Sequence, residues 1–194
     1  MPRRRSSSVK PSVSGHSNSK ESHVVNFLAD CTIKLVGAAI FAYVALHYIL
    51  PKFSLLRQYV HGDRQLFGLL FVYHILTHVV SVLVYRSAII LNDQKHDDSP
   101  TRQSRTWLTG VSARLYNAHQ NFCEGYTGYV AAVLVSTLSN VPVIIRFNAA
   151  FLYLISRLAF ASCYALDSHS SRTFFYFVGQ SSLLYLFMTA VCHH

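Results

Sequence analysis

Charge is what this sequence has least of. Asp, Glu, Lys and Arg make up 13% of its 194 residues, about half the share found in an ordinary soluble domain. Acidic residues are scarcest, eight against seventeen Lys and Arg. With 52% hydrophobic residues gathered into long blocks, this balance excludes a water-soluble globular protein and points to an integral, helical membrane protein. Cysteine is sparse too. Cys31, Cys123, Cys163 and Cys192 lie within or beside apolar blocks and none is in a CxxC. That excludes a disulfide framework and leaves them as small buried hydrophobes. The formal charge of +9 would suggest nucleic acid in a soluble protein. Without interleaved aromatic and basic residues or a nucleic-acid motif, that partner is excluded, and the charge is read through membrane topology. There is no internal repeat.

Five apolar blocks are present: Val24–Leu50 (ended by Pro51), Leu66–Leu91, Trp107–Leu138, Ile144–Leu166 and Thr173–Cys192. Each has the length of about 20 residues that crosses a bilayer core. Residues 1–23 form a basic, Ser-rich tail that cannot pack a core alone. Its composition fits a mitochondrial transit peptide or a cytosolic tail that sets orientation. With the tail inside, the inner face receives Arg3, Arg4, Arg5, Lys10, Lys20, Arg86, Lys95, Arg102, Arg105, Arg114, Arg157 and Arg172. The outer face receives Lys52, Arg57, Arg64 and Arg146. This is the expected positive-inside bias. The polar 92–105 segment reads as a solvated connector.

Polar residues of the last three blocks gather at that same inner face. Arg114, Asn117, Asn121 and Glu124 share one helical stripe, Arg157 and Tyr164 a second, and Arg172, Thr173, Tyr176 and Gln180 a third. With Arg86 the set suits an anionic, peptide-like ligand: arginines pair with carboxylates, and Glu124 takes an ammonium. An acidic thiol beside Arg172 would have its anion stabilised. The alternative is polar glue between helices. His74 and His78, four residues apart, read as hydrogen-bonded interior histidines rather than metal ligands. Asp167, His169 and Ser171 have triad residue types but crowd into a short turn that cannot give triad geometry.

The run ARLYNAHQNFCEGYTGYVAAVL resembles the second-helix motif of the MAPEG family, the membrane-associated proteins in eicosanoid and glutathione metabolism. The run RLAFASCYALDSHSSRTFFYFVGQ is similar to that family's later R-x-x-x-x-x-x-Y, turn, R-[ST]-x-x-Y-x-x-x-Q pattern. The resemblance covers about Leu66–Val191, so 66–192 is expected to be a four-helix transmembrane domain. Residues 24–50 are expected to be an additional N-terminal transmembrane helix in an all-α membrane protein. The resemblance implies a homotrimer that holds glutathione between subunits and acts on a lipophilic small molecule at the membrane lipids. Arg172 matches the arginine that stabilises the thiolate. Thr173, Tyr176, Gln180, Tyr164, Asn121 and Glu124 match glutathione-contacting positions, Arg157 matches an arginine that shapes the site, and Arg86 matches more loosely. Gln120, Phe160 and Gly128 depart from the family's arginine, histidine and proline, and Gly128 is expected to remove a kink. The core resembles the family's short members.

The expected function is therefore glutathione-dependent transfer or peroxide reduction in the endoplasmic reticulum or a mitochondrial membrane. A non-catalytic subunit of a larger membrane assembly, such as a respiratory complex, is the alternative from another class. The added span and the altered contacts motivate it.

Overall fold

The computed structural model describes residues 16–52, 62–92 and 110–192, and they form long helices. The basic tail before His16, Arg57, the 93–109 connector with Lys95, Arg102, Arg105 and Trp107, and the terminal His193–His194 lie outside the described residues. Helix α1 is His16–Val44, followed by a π-helical turn Ala45–Ile49 and a 3₁₀ turn Leu50–Lys52. Then come α2 Asp63–Asn92, α3 Gly110–Leu138, α4 Val143–Ala165 and α5 His169–Cys192. The chain falls into two compact units, Met1–Ile33 and Lys34–His194. The first contributes the opening turns of α1. The second holds the bundle and is the subject from here on.

Helix α1 starts eight residues before the apolar block that announces it. Nothing after Gly15 breaks a helix until Pro51, and helix formation needs no apolar face. Four helical stretches are long and apolar enough to cross a membrane: Asn26–Lys52, Asp63–Val84, Val143–Ala165 and His169–Cys192. Helix α3 has the length but is absent from that set, because Arg114–Glu124 dilutes its first half with polar side chains. Helices α3 and α4 each pack against the other three members of the α2–α5 bundle, and the closest association is between α4 and α5.

The core follows from the side chains these helices direct inward. Tyr73, Phe122, Tyr129 and Tyr153 are fully buried where α2, α3 and α4 meet. Tyr129 and Tyr153 stack at 4.8 Å between ring centroids. Phenols buried among apolar groups need acceptors, and here they take backbone carbonyls across helices. Tyr73 donates to Phe122 O (3.0 Å), Tyr153 to Gly125 O (2.9 Å) and Tyr129 to Ala150 O (3.3 Å). Small residues let α4 and α5 approach, with Gly179 and Ser182 buried on α5 and Ser156 on α4. The stripe Ala38 and Ala42 on α1, continued by Ala45 in the π-helical turn, is buried, while the large apolar side chains from Phe27 to Val44 are exposed, as suits a lipid-facing surface.

The two turns that follow α3 and α4 are Schellman motifs closed without glycine. After α3, Val141 N donates to Ser136 O and Asn140 N to Thr137 O, with Asn140 at φ 52°. After α4, Ser168 N donates to Cys163 O and Asp167 N to Tyr164 O, with Asp167 at φ 60°. Asn and Asp are the residues that best tolerate this left-handed conformation after glycine. The first turn is fastened further by buried Arg146. Its Nε donates to Val141 O at 2.7 Å, and its Nη1 reaches Thr137 Oγ1 and Asp63 Oδ1, each at 2.8 Å.

Candidate functional site

The second turn carries the candidate site. The Schellman geometry reverses the chain within three residues, so the last turn of α4 and the first turn of α5 lie side by side. Ser168 precedes α5, and its Oγ donates to Ser171 Oγ at 3.1 Å. One turn in, Arg172 is half-buried, its guanidinium lying over the Tyr164 ring at 4.3 Å. Its Nη2 donates to His169 Nδ1 at 2.8 Å. Arg114, from the start of α3, reaches the same turn and pairs with Asp167 at 3.5 Å. Three helix ends thus meet around two arginines.

A ladder of rings runs from this cluster into the bundle. Tyr164 meets Phe160 edge-on at 5.0 Å, and Phe160 meets Tyr176 at 6.0 Å. Arg157 stands behind them, 1% exposed. Its guanidinium carbon lies 4.9 Å from the Tyr153 ring, 5.1 Å from Tyr176 and 5.7 Å from Phe160. None of Nε, Nη1 and Nη2 has a hydrogen-bond partner. Three ring faces stand in for the usual carboxylate, each such contact contributing about 0.5–2 kcal/mol. Gly125 makes the approach possible: a Cβ there would sit 2.5 Å from Tyr153 Oη, 3.0 Å from Tyr73 Oη and 3.4 Å from Arg157 Cζ.

The structure therefore brings together Arg114, Arg157, Tyr164, Arg172 and Tyr176 from the expected set, and adds Asp167 and His169. Thr173 touches the cluster through the His169 carbonyl, and the others stand apart from it in their contacts. Thr173 Oγ1 bonds His169 O, and Asn121 Nδ2 bonds Asn117 O, each within its own helix. Glu124 is exposed on α3, Arg86 is exposed on α2 and Gln180 is half-buried. His74 and His78 on α2 meet each other, Nε2 to Nε2 at 3.1 Å. Among the described residues no three His, Cys, Asp or Glu side chains are grouped for a metal. Helix α3 runs through Gly128 without a break. The sequence reading missed Phe160 as a wall of the Arg157 cage and Tyr153 as its base. Tyr153, Arg157, Phe160 and Tyr164 recur at i, i+4, i+7 and i+11, one stripe of a helix, which was the available signal.

These features define a class: an all-helical membrane bundle with a cationic and aromatic cluster where its last two helices join. The chain belongs to the MAPEG family, whose model matches residues 66–192. The match takes in α3, α4 and α5 whole and nearly all of α2, and leaves α1 outside it as an N-terminal addition. Comparison with curated proteins and with solved structures gives no match.

Proposed function

We propose that this protein is a glutathione-dependent transferase or peroxidase acting on a lipophilic substrate, working as a homotrimer in the endoplasmic reticulum or a mitochondrial membrane. Its N-terminus would lie on the positive-inside face. The observation that supports this reading best is the setting of Arg172. Tyr164 and His169 fix the guanidinium from one side and leave other N–H groups for a ligand. The first turn of α5 adds its unpaired backbone N–H groups and positive dipole end. Guanidinium and helix end together favour an anion, and a thiolate is the anion the family resemblance implies. Arg172 would hold the thiol deprotonated, so that its sulfur displaces the leaving group of an electrophilic carbon presented from the lipid side. With a peroxide presented there, the sulfur would cleave the O–O bond to release an alcohol and form a sulfenic acid, which a second glutathione converts to the disulfide and water. Glu124 and Asn121, exposed and half-buried on their own chain, would complete the site across a subunit boundary. Arg157 is sealed by its rings and would act as a positioning residue for Tyr176, touching no ligand.

That sealing also favours a second reading: a catalytically silent subunit of a larger membrane assembly, in which the cluster is structural. One experiment separates the two. Glutathione is titrated into detergent-solubilised wild type and Arg172→Ala, with folding checked by circular dichroism. Saturable binding by wild type, weakened at least tenfold in Arg172→Ala, is expected for the enzyme. A well-folded wild type that binds no glutathione refutes that reading and leaves the subunit.

A further inference from the structure

A cavity of about 180 Å³ opens where the end of α1 meets α4 and α5. It lies at the far end of α4 from the Arg172 cluster, the 16 residues from Asn148 to Tyr164 placing it about 24 Å away. Leu46 and His47 line it from the π-helical turn, Ile144, Ile145 and Asn148 from the start of α4, and Tyr185 from α5. The walls are mostly aliphatic, with two aromatic rings at one side: His47 and Tyr185 meet edge-on at 5.5 Å. Single π-helical turns inside helices recur at functional sites, because the extra residue re-aims the side chains of that turn.

Two features narrow what fits. The first is size. A cavity of about 150 Å³ accommodates one benzene ring, whereas drug-sized ligands occupy about 300 Å³ or more. The second is Asn148, 6% exposed, whose Oδ1 has no hydrogen-bond partner. A buried amide is costly to leave unpaired. A hydroxyl both donates and accepts, so it satisfies either end of a carboxamide. A ring is the shape that packs edge-on against His47 and Tyr185.

We propose that this cavity binds the head of a membrane-borne phenol, an aromatic ring whose hydroxyl bonds Asn148 and whose alkyl tail remains in the bilayer. The site is built in part by the added α1 and does not depend on glutathione chemistry. The test uses the full-length protein in nanodiscs, titrated calorimetrically with 4-hexylphenol, its methyl ether 4-hexylanisole and 1-octanol, with empty nanodiscs as the partition blank. Saturable binding of 4-hexylphenol above the blank is expected, about tenfold weaker when the hydroxyl is methylated or in Asn148→Leu. Ile144→Trp, which fills the cavity and keeps Asn148, is expected to abolish it. If Asn148→Leu fails to fold, the ligand pair and Ile144→Trp decide the matter. Binding of 4-hexylanisole or 1-octanol as tight as that of the phenol overturns the proposal. So does uptake that Ile144→Trp leaves unchanged, or that matches the empty discs.

Discussion

Arg157 is a cation held without an anion, and that decides how substitutions there behave. Its rings satisfy a flat, weakly hydrated guanidinium, which can face several of them at once. A lysine ammonium is compact and strongly hydrated and cannot. Arg157→Lys is therefore expected to destabilise the bundle by about 2–3 kcal/mol. Arg157→Met, which removes the buried charge and keeps the volume, is expected to cost less than about 1 kcal/mol or to stabilise. Thermal unfolding in one detergent compares the pair, and equal losses would contradict the cage. Gly125 is the counterpart on α3. A methyl at Gly125 collides with the hydroxyls of Tyr153 and Tyr73, both of which bond α3 carbonyls. Gly125→Ala is expected to cost about 1–3 kcal/mol from overpacking, seen in the same unfolding assay. Residue by residue, the sequence is legible where a neighbour on the same helix supplies the partner. The His74–His78 pair at i,i+4 is of that kind. The isolation of Arg157 is not legible, because Gly125 and Tyr176 come from other helices and a glycine gives no hint of what approaches it.

Among elements, the turns carry the most information per residue. Asp167 serves the second turn twice, through a left-handed backbone and an ion pair with Arg114. The two roles separate by substitution. The ion pair is partly exposed and stretched, so its loss in Asp167→Asn is expected to cost under about 1 kcal/mol. Asp167→Val adds the penalty of a β-branched residue at positive φ, about 1–2 kcal/mol more. Unfolding midpoints of the two variants check this, and a Val variant no worse than Asn would contradict the backbone role. Helix α3 shows why hydropathy reads some elements and not others. Its length and position were clear from the chain, but its polar first half fails an apolarity criterion that α2, α4 and α5 meet. What its three neighbours bury is a different stripe, Ala118, Phe122, Gly125 and Tyr129, while Asn117 and Glu124 stay exposed, and which stripe is buried is a property of the assembled bundle. The extension of α1 back to His16 was equally illegible, since a polar helix and a polar coil share a composition.

For the whole molecule, the distribution of exposure matters most. The apolar stretch Asp63–Val84 of α2 has the highest mean hydropathy of the four spanning stretches, 2.0, yet within it only Leu66, Tyr73 and Val84 are buried in the chain. Glu124 is exposed on the neighbouring α3. A single chain thus presents both an apolar helix and a membrane-level carboxylate to its surroundings. A charge at that depth is tolerated when it faces protein. Native mass spectrometry in detergent is expected to give a particle of three chains, and Glu124→Leu is expected to leave each chain folded while lowering glutathione affinity. A strictly monomeric, glutathione-binding protein would contradict this arrangement.

The three phenol-to-carbonyl bonds of the core have an asymmetric genetics. Each needs one particular side chain, Tyr73, Tyr129 or Tyr153, and an acceptor that every residue type supplies. Point substitutions at Phe122 or Ala150 change packing volume but cannot delete the acceptor. Helices held in this way drift independently on the carbonyl side, so paired compensating changes are not expected between Tyr73 and Phe122 or between Tyr129 and Ala150. Gly125 is the exception: its carbonyl is as indestructible as the others, but its missing side chain is information that no second substitution nearby restores.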